Sequence, residues 1–121
     1  MKHLQKGRKL GRVRNQRTAL FRTMLGSLIM EEKIKTTEAK AKEMKAKIDR
    51  IINRAKLSKD AEKLVAVKRD LRTKIPLMAV KKITGEFLEQ FSTRDSGYTR
   101  IIKLAPRQGD AAKLAIIEFV S

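Results

Sequence analysis

The groups in this sequence that could do chemistry are its cations, and they crowd toward one end. Eight of them, Lys2, Lys6, Arg8, Lys9, Arg12, Arg14, Arg17 and Arg22, precede the first acid, Glu31. Lysine and arginine at this density suit the phosphates of a nucleic acid, where each contact releases a condensed counterion. Gly7 and Gly11 are interspersed among them, as in basic arms that order only on binding RNA. His3 is the single histidine. It reads as a phosphate or base contact, because a zinc site needs several ligands.

Other chemistries are poorly served. There is no Cys, so thiolate metal sites, disulfides and thiol nucleophiles are excluded. One His leaves no His-based triad, and the acids are scattered among lysines, where ion pairing is the ordinary account. No Gly-rich phosphate loop precedes a helix. An enzyme is not indicated, and no metal, cofactor or small-molecule substrate is expected.

Composition points the same way. The chain has 121 residues and a formal net charge of +17, a self-repulsion that calls for a polyanionic partner. Hydrophobic residues make up 41 %, enough for a modest core, so wholesale disorder is not expected. Aromatics make up only 4 % with no Trp, too few for a sheet that stacks several bases. The longest uncharged run, Thr23 to Met30, falls far short of a membrane span. The basic start lacks the apolar run of a secretory signal. An organellar transit peptide is its nearest competitor, but the single Ser and the direct run into a structural helix weigh against one.

The elements that must position these cations follow from periodicity. Residues 1–14 read as a basic RNA-binding arm and residues 15–121 as a single α+β domain. Asn15 is a candidate N-cap, followed by an apolar stripe of Leu20, Phe21, Met24, Leu25, Leu28 and Ile29. Gln16, Ala19, Thr23, Gly26 and Ser27 make the opposite face small, as close helix packing requires. Arg14 and Arg17 project on the apolar side one turn earlier, beyond the body. Residues 33–37 predict a short strand ending at a Thr37 cap, with Glu38 favouring the helix dipole. The next helix, 38–57, carries Ala41, Met44, Ile48, Ile51, Ile52 and Ala55 on a narrow arc. Its other side, with Lys40, Lys42, Lys45, Lys47, Arg50, Arg54 and Lys56, reads mainly as a solvated face.

A third helix is expected from about Ser58–Asp60 to Arg72. A fourth follows, with Pro76 in its first turn, and runs to Phe91, weakened by Gly85. Strands at 98–105 and 112–120 close the chain around a hairpin connection at 106–110. The order α-β-α-α-α-β-β predicts helices packed on one face of a small mixed sheet.

Several stretches are recognisable. Lys6-Gly7-Arg8-Lys9-Leu10-Gly11-Arg12 and Arg17-Thr18-Ala19-Leu20-Phe21-Arg22 resemble the opening of bacterial large-subunit ribosomal proteins of the L-seventeen family. Ile34-Lys35-Thr36-Thr37, with Lys40-Ala41-Lys42-Glu43, resembles its central signature. Gly97-Tyr98-Thr99-Arg100-Ile101, Arg107-Gln108-Gly109-Asp110 and Ile117-Glu118-Phe119-Val120 resemble its C-terminal strands. The chain departs from the family's pattern at Gln16, Gly85 and Ser96. The resemblance implies an α+β fold, binding to large-subunit (23S) ribosomal RNA, and a cytoplasmic life in the large subunit. It also implies a place near the tunnel exit beside other ribosomal proteins. By matching motif, it points to the arm cations, with Lys35, Lys40, Arg94, Tyr98, Arg100 and Arg107 on the body. Tyr98, at a strand start, suits core packing and base stacking equally. A nucleoid or DNA-associated architectural protein is the alternative, with Pro106 beside Arg107 as its only hint of a minor-groove wedge.

Overall fold

The computed structural model describes residues 13–120. A first helix, α1 (Arg14–Glu31), leads into strand β1 (Lys33–Thr37) and the long helix α2 (Glu38–Lys56). A 3-10 turn (Leu57–Lys59) precedes α3 (Leu64–Arg72) and α4 (Leu77–Ile83). A second 3-10 segment (Glu86–Phe91) leads to β2 (Thr99–Lys103) and β3 (Leu114–Phe119). The expected element order is therefore present, and the class is α+β.

The three strands are ordered β1-β3-β2, and both pairings are antiparallel. The sheet is thus antiparallel throughout, not mixed. The reason lies in its connections: β2 returns to the adjacent β3 through a hairpin connection, residues 104–113, and β1 pairs with the same central strand from its other side. Register puts Ile34, Ile117 and Ile101 side by side in one row. That row faces α2, whose Met44, Ile48 and Ile52 are fully buried. Burying an Ile of this kind stabilises by about 1.5–3 kcal/mol. The arc read along α2 is its buried face residue for residue.

The other helices differ in detail from their sequence reading. α1 begins before Asn15, because Arg17 N–H bonds to the Val13 carbonyl at 2.9 Å and closes the first turn early. Asn15 is an exposed helical residue, not the cap. α3 begins later than expected. Asp60 Oδ1 accepts from the Glu62 N–H at 3.0 Å, and such local bonding competes with helix. The predicted fourth helix is two segments: Gly85 takes an extended conformation, and the chain resumes as a 3-10 segment to Phe91. Ile83 and Leu88 are buried, and Phe87 packs half-buried against the core.

Gly26 has a packing role. It is buried on the small face of α1 against Pro76, which caps the start of α4. A Cβ there would lie 2.7 Å from Pro76 Cδ and 2.9 Å from Cγ. Small residues on this face let the two helices approach closely.

Candidate nucleic-acid interface

The cations of α1 and α2 converge where the two helices meet the α3–α4 junction. There a cleft of about 290 Å³ is lined by Arg17 and Arg22 from α1, Lys47, Arg50 and Arg54 from α2, and Lys74. Phe21, Leu25, Ile51 and Leu71 form its floor. These four are buried side chains that also bind the helices together. Arg17 has therefore not left the body, as its position one turn before the apolar stripe suggested.

Four of the six cations are held in place by three sets of partners. Arg22 Nη2 donates to the carbonyls of Arg72 and Ile75 at 3.3 and 3.5 Å, around the end of α3. Arg54 Nε donates to Asp70 Oδ2 at 3.1 Å, and Lys74 lies 3.7 Å from the same oxygen. Lys47 sits over the Phe21 ring, 5.1 Å from its centroid, a favourable cation–π placement. Arg17 and Arg50 have no side-chain partner among the described residues, so their charge is available to an anion.

A second basic surface lies on the sheet face turned away from α2. Pairing register aligns Lys35, Ile116 and Ile102 in one row and Lys33, Glu118 and Arg100 in the next. Ile102 is exposed there. Arg100 Nε donates to Glu118 Oε1 at 2.7 Å, so among the described residues the cations of this face without a carboxylate partner are Lys33 and Lys35. Lys40 lies half-buried on the first turn of α2.

Other residues singled out from sequence fall elsewhere. Lys2, His3, Lys6, Arg8, Lys9 and Arg12 lie outside the described residues. Arg14 is exposed at the start of α1. Arg107 forks onto Asp110, with Nε 3.1 Å from Oδ1. That hydrogen bond, with one from the Ala112 N–H, holds the Asp110 pKa down at about 2. Neither Arg100 nor Arg107 is a free cation, and Pro106 stands beside a turn that Arg107 ties to itself.

Tyr98 needs correction as a base-stacking candidate. Its ring is fully buried and packs edge-on against Phe91 at 5.4 Å. Its hydroxyl donates toward Asn53 Oδ1 and lies 3.0 Å from the Arg94 carbonyl. Asp49 accepts from the N–H groups of Gly97 and Tyr98, both at 3.3 Å, and Lys56 Nζ donates to the Arg94 carbonyl. Asp49, Asn53 and Lys56 thus form a ladder along α2 that grips the 94–98 loop. Gly97 takes φ +66° in it, a conformation that favours glycine. Arg94 serves this grip through its backbone. Phe87, Phe91, Tyr98 and Phe119 make one aromatic cluster, so four of the five aromatic residues are committed to packing.

Lys47, Arg50, Arg54 and Lys74 were not singled out from the sequence as site residues. The signal was there for the first three: they recur at three- and four-residue steps around buried Ile51, on the flank of the apolar arc. Nothing local distinguishes Lys74 from any other exposed lysine.

Comparison with known proteins agrees with the motif reading. A family model described as ribosomal protein L17 matches residues 20–120. The large ribosomal subunit protein bL17 of Rubrobacter xylanophilus is 44% identical over 123 residues, covering 100% of this chain and 97% of that protein. Its counterpart in Staphylococcus epidermidis is 41% identical over 119 residues, covering 93% of this chain and 98% of that protein. The bL17 protein of Desulfosudis oleivorans is also similar, 41% identical over 128 residues; the match covers all of this chain but 56% of that longer protein.

Proposed function

The chain belongs to the ribosomal protein L17 family, and on that premise we propose that it binds 23S ribosomal RNA as a structural constituent of the large ribosomal subunit. The observation that carries the reading is the convergence of six cations on one cleft, two of which, Arg17 and Arg50, lack a side-chain partner among the described residues. Phosphate contacts supply affinity there, and the basic arm extends them. No helix among the described residues is long and apolar enough to cross a membrane. The protein works in the cytoplasm, in the large subunit near the tunnel exit. Neighbouring ribosomal proteins have a suitable surface in the exposed Ile102 and its row on the outer sheet face.

The test compares two double substitutions that remove equal charge. Arg17→Ala with Arg50→Ala removes the unpartnered cations, whereas Arg100→Ala with Arg107→Ala removes cations already matched by carboxylates. Filter binding of the full chain to 23S RNA should weaken more than about tenfold for the first pair and under about threefold for the second. Hydrogen bonds to charged groups are worth roughly 1.5–3 kcal/mol each. With roughly eight phosphates neutralised, the log–log salt slope should be about −5 to −7. Equal losses, a flat salt response, or preference for duplex DNA over 23S RNA would refute the reading, the last in favour of a DNA-associated architectural role.

A further inference from the structure

We propose that the cleft between α1 and α2 seats one extrahelical nucleotide of RNA, base inward and phosphate at the mouth. This rests on the RNA-binding reading and specifies what the cleft takes. A duplex backbone offers its phosphates on a convex surface, which a basic stripe would meet. A concave site of about 290 Å³ with four apolar side chains beneath its cations instead matches a group that is flat and apolar in one part and anionic in another. An unstacked nucleotide is such a group, and proteins commonly read RNA through bases splayed from bulges and loops.

The cations divide accordingly. Arg22 and Arg54, on the two helices that form the walls, are fixed through hydrogen bonds to the Arg72 and Ile75 carbonyls and to Asp70. A guanidinium held this way keeps its plane free to stack on a base and loses little freedom in doing so. Arg17 and Arg50 have no such restraint among the described residues, and they take the phosphate. No aromatic side chain competes for the stacking role: the Phe21 ring, in the floor, is already under Lys47, and the other four aromatics lie in the cluster beside the sheet. Asp70 is a positioning residue that orients Arg54 and Lys74.

The test uses the full chain and three RNA hairpins of one sequence at low salt, where general electrostatic affinity keeps all three measurable. One carries a single extrahelical adenosine in its stem, one an abasic nucleotide at that point, and one a fully paired stem. The adenosine hairpin should bind about tenfold more tightly than the abasic one, from the worth of stacking one base. Phosphate count is identical in these two. In Arg54→Lys, which keeps the charge but not the plane, the preference for the adenosine hairpin over the abasic one should fall to under about threefold. Equal binding of the adenosine and abasic hairpins by the unsubstituted chain would overturn the proposal. If 23S RNA is still bound in that case, the RNA-binding reading survives alone; if it is not, both fall. Titration with free AMP separates the two sources of a nucleotide: AMP binding without any base preference among the hairpins would make this a mononucleotide site and overturn the assignment to RNA.

Discussion

Replacing Gly26 with Ala sets two effects of opposite sign against each other. In a helix interior, Ala is favoured over Gly by about 0.8–1 kcal/mol, so a surface site would gain stability. At Gly26 the new methyl would meet Pro76 at 2.7 and 2.9 Å. The proline ring is tied to its own backbone and cannot swing aside. α1 and α4 must part by several tenths of an ångström, loosening the contact around Leu25, Ile29, Ala79 and Val80, all buried. Overpacking of this kind costs about 1–3 kcal/mol, and two sub-contact distances to a rigid ring argue for the upper half. The expected net loss is about 1–2 kcal/mol, or roughly 4–8 °C in Tm for a domain of this size. Pro76→Ala removes the ring, and in that background Gly26→Ala should stabilise by up to ~1 kcal/mol. Urea unfolding followed by circular dichroism on all four proteins of the cycle gives the coupling directly. Stabilisation by Gly26→Ala with Pro76 present, or the same change in both backgrounds, would refute the close-approach argument.

Two further outcomes follow from the partners described above. Tyr98→Phe leaves Asn53 Oδ1 short of a donor, the Arg94 carbonyl keeping Lys56 Nζ, and should lower stability by about 1–2 kcal/mol in urea unfolding. Its RNA affinity should stay unchanged, where a stacking tyrosine would lose affinity. Asp110 titrates at about 2, below its ordinary 3.8, because Arg107 and then the Ala112 N–H bond its charged form. A lowered folded-state pKa contributes stability that is complete above the unfolded value and is lost as pH falls through the folded one. Asp110→Asn should therefore be less stable than the parent at pH 6, with the gap closing between about pH 3.8 and 2, read from denaturation midpoints across that range.

Much of the architecture was legible because it is written in local periodicity. The arc Ala41–Met44–Ile48–Ile51–Ile52–Ala55 defines α2 without help from any other segment, and residues 33–37 alternate as a strand should. The failures in the helices share one cause, competition decided by a few local contacts. Asp60 turning onto Glu62 delays α3, and the extended Gly85 breaks the predicted fourth helix in two. Sheet order is not local at all, and an antiparallel sheet centred on the last strand has no signature in any one stretch. The cleft is harder still, since its cations come from α1, α2 and Lys74, and their meeting depends on how three helical elements pack. Tyr98 was undecided from sequence because its partners, Asn53 and the Arg94 carbonyl, are fixed only once α2 crosses the sheet.

The central position of β3 has a consequence for how the molecule comes to be made. Lys33 and Glu118 pair from opposite ends of the chain, and β2 pairs only with the same strand. During synthesis α1 and α2 can form early, while β1 has no sheet neighbour until almost the whole chain has emerged. Such late, distant pairing carries the loop-closure cost that slows folding. Meanwhile β1 is an open edge, the kind of backbone that joins other strands and aggregates. Lys33 and Lys35, alternating along it, are charges of the sort that discourage that pairing. They guard the strand while it waits for its partner.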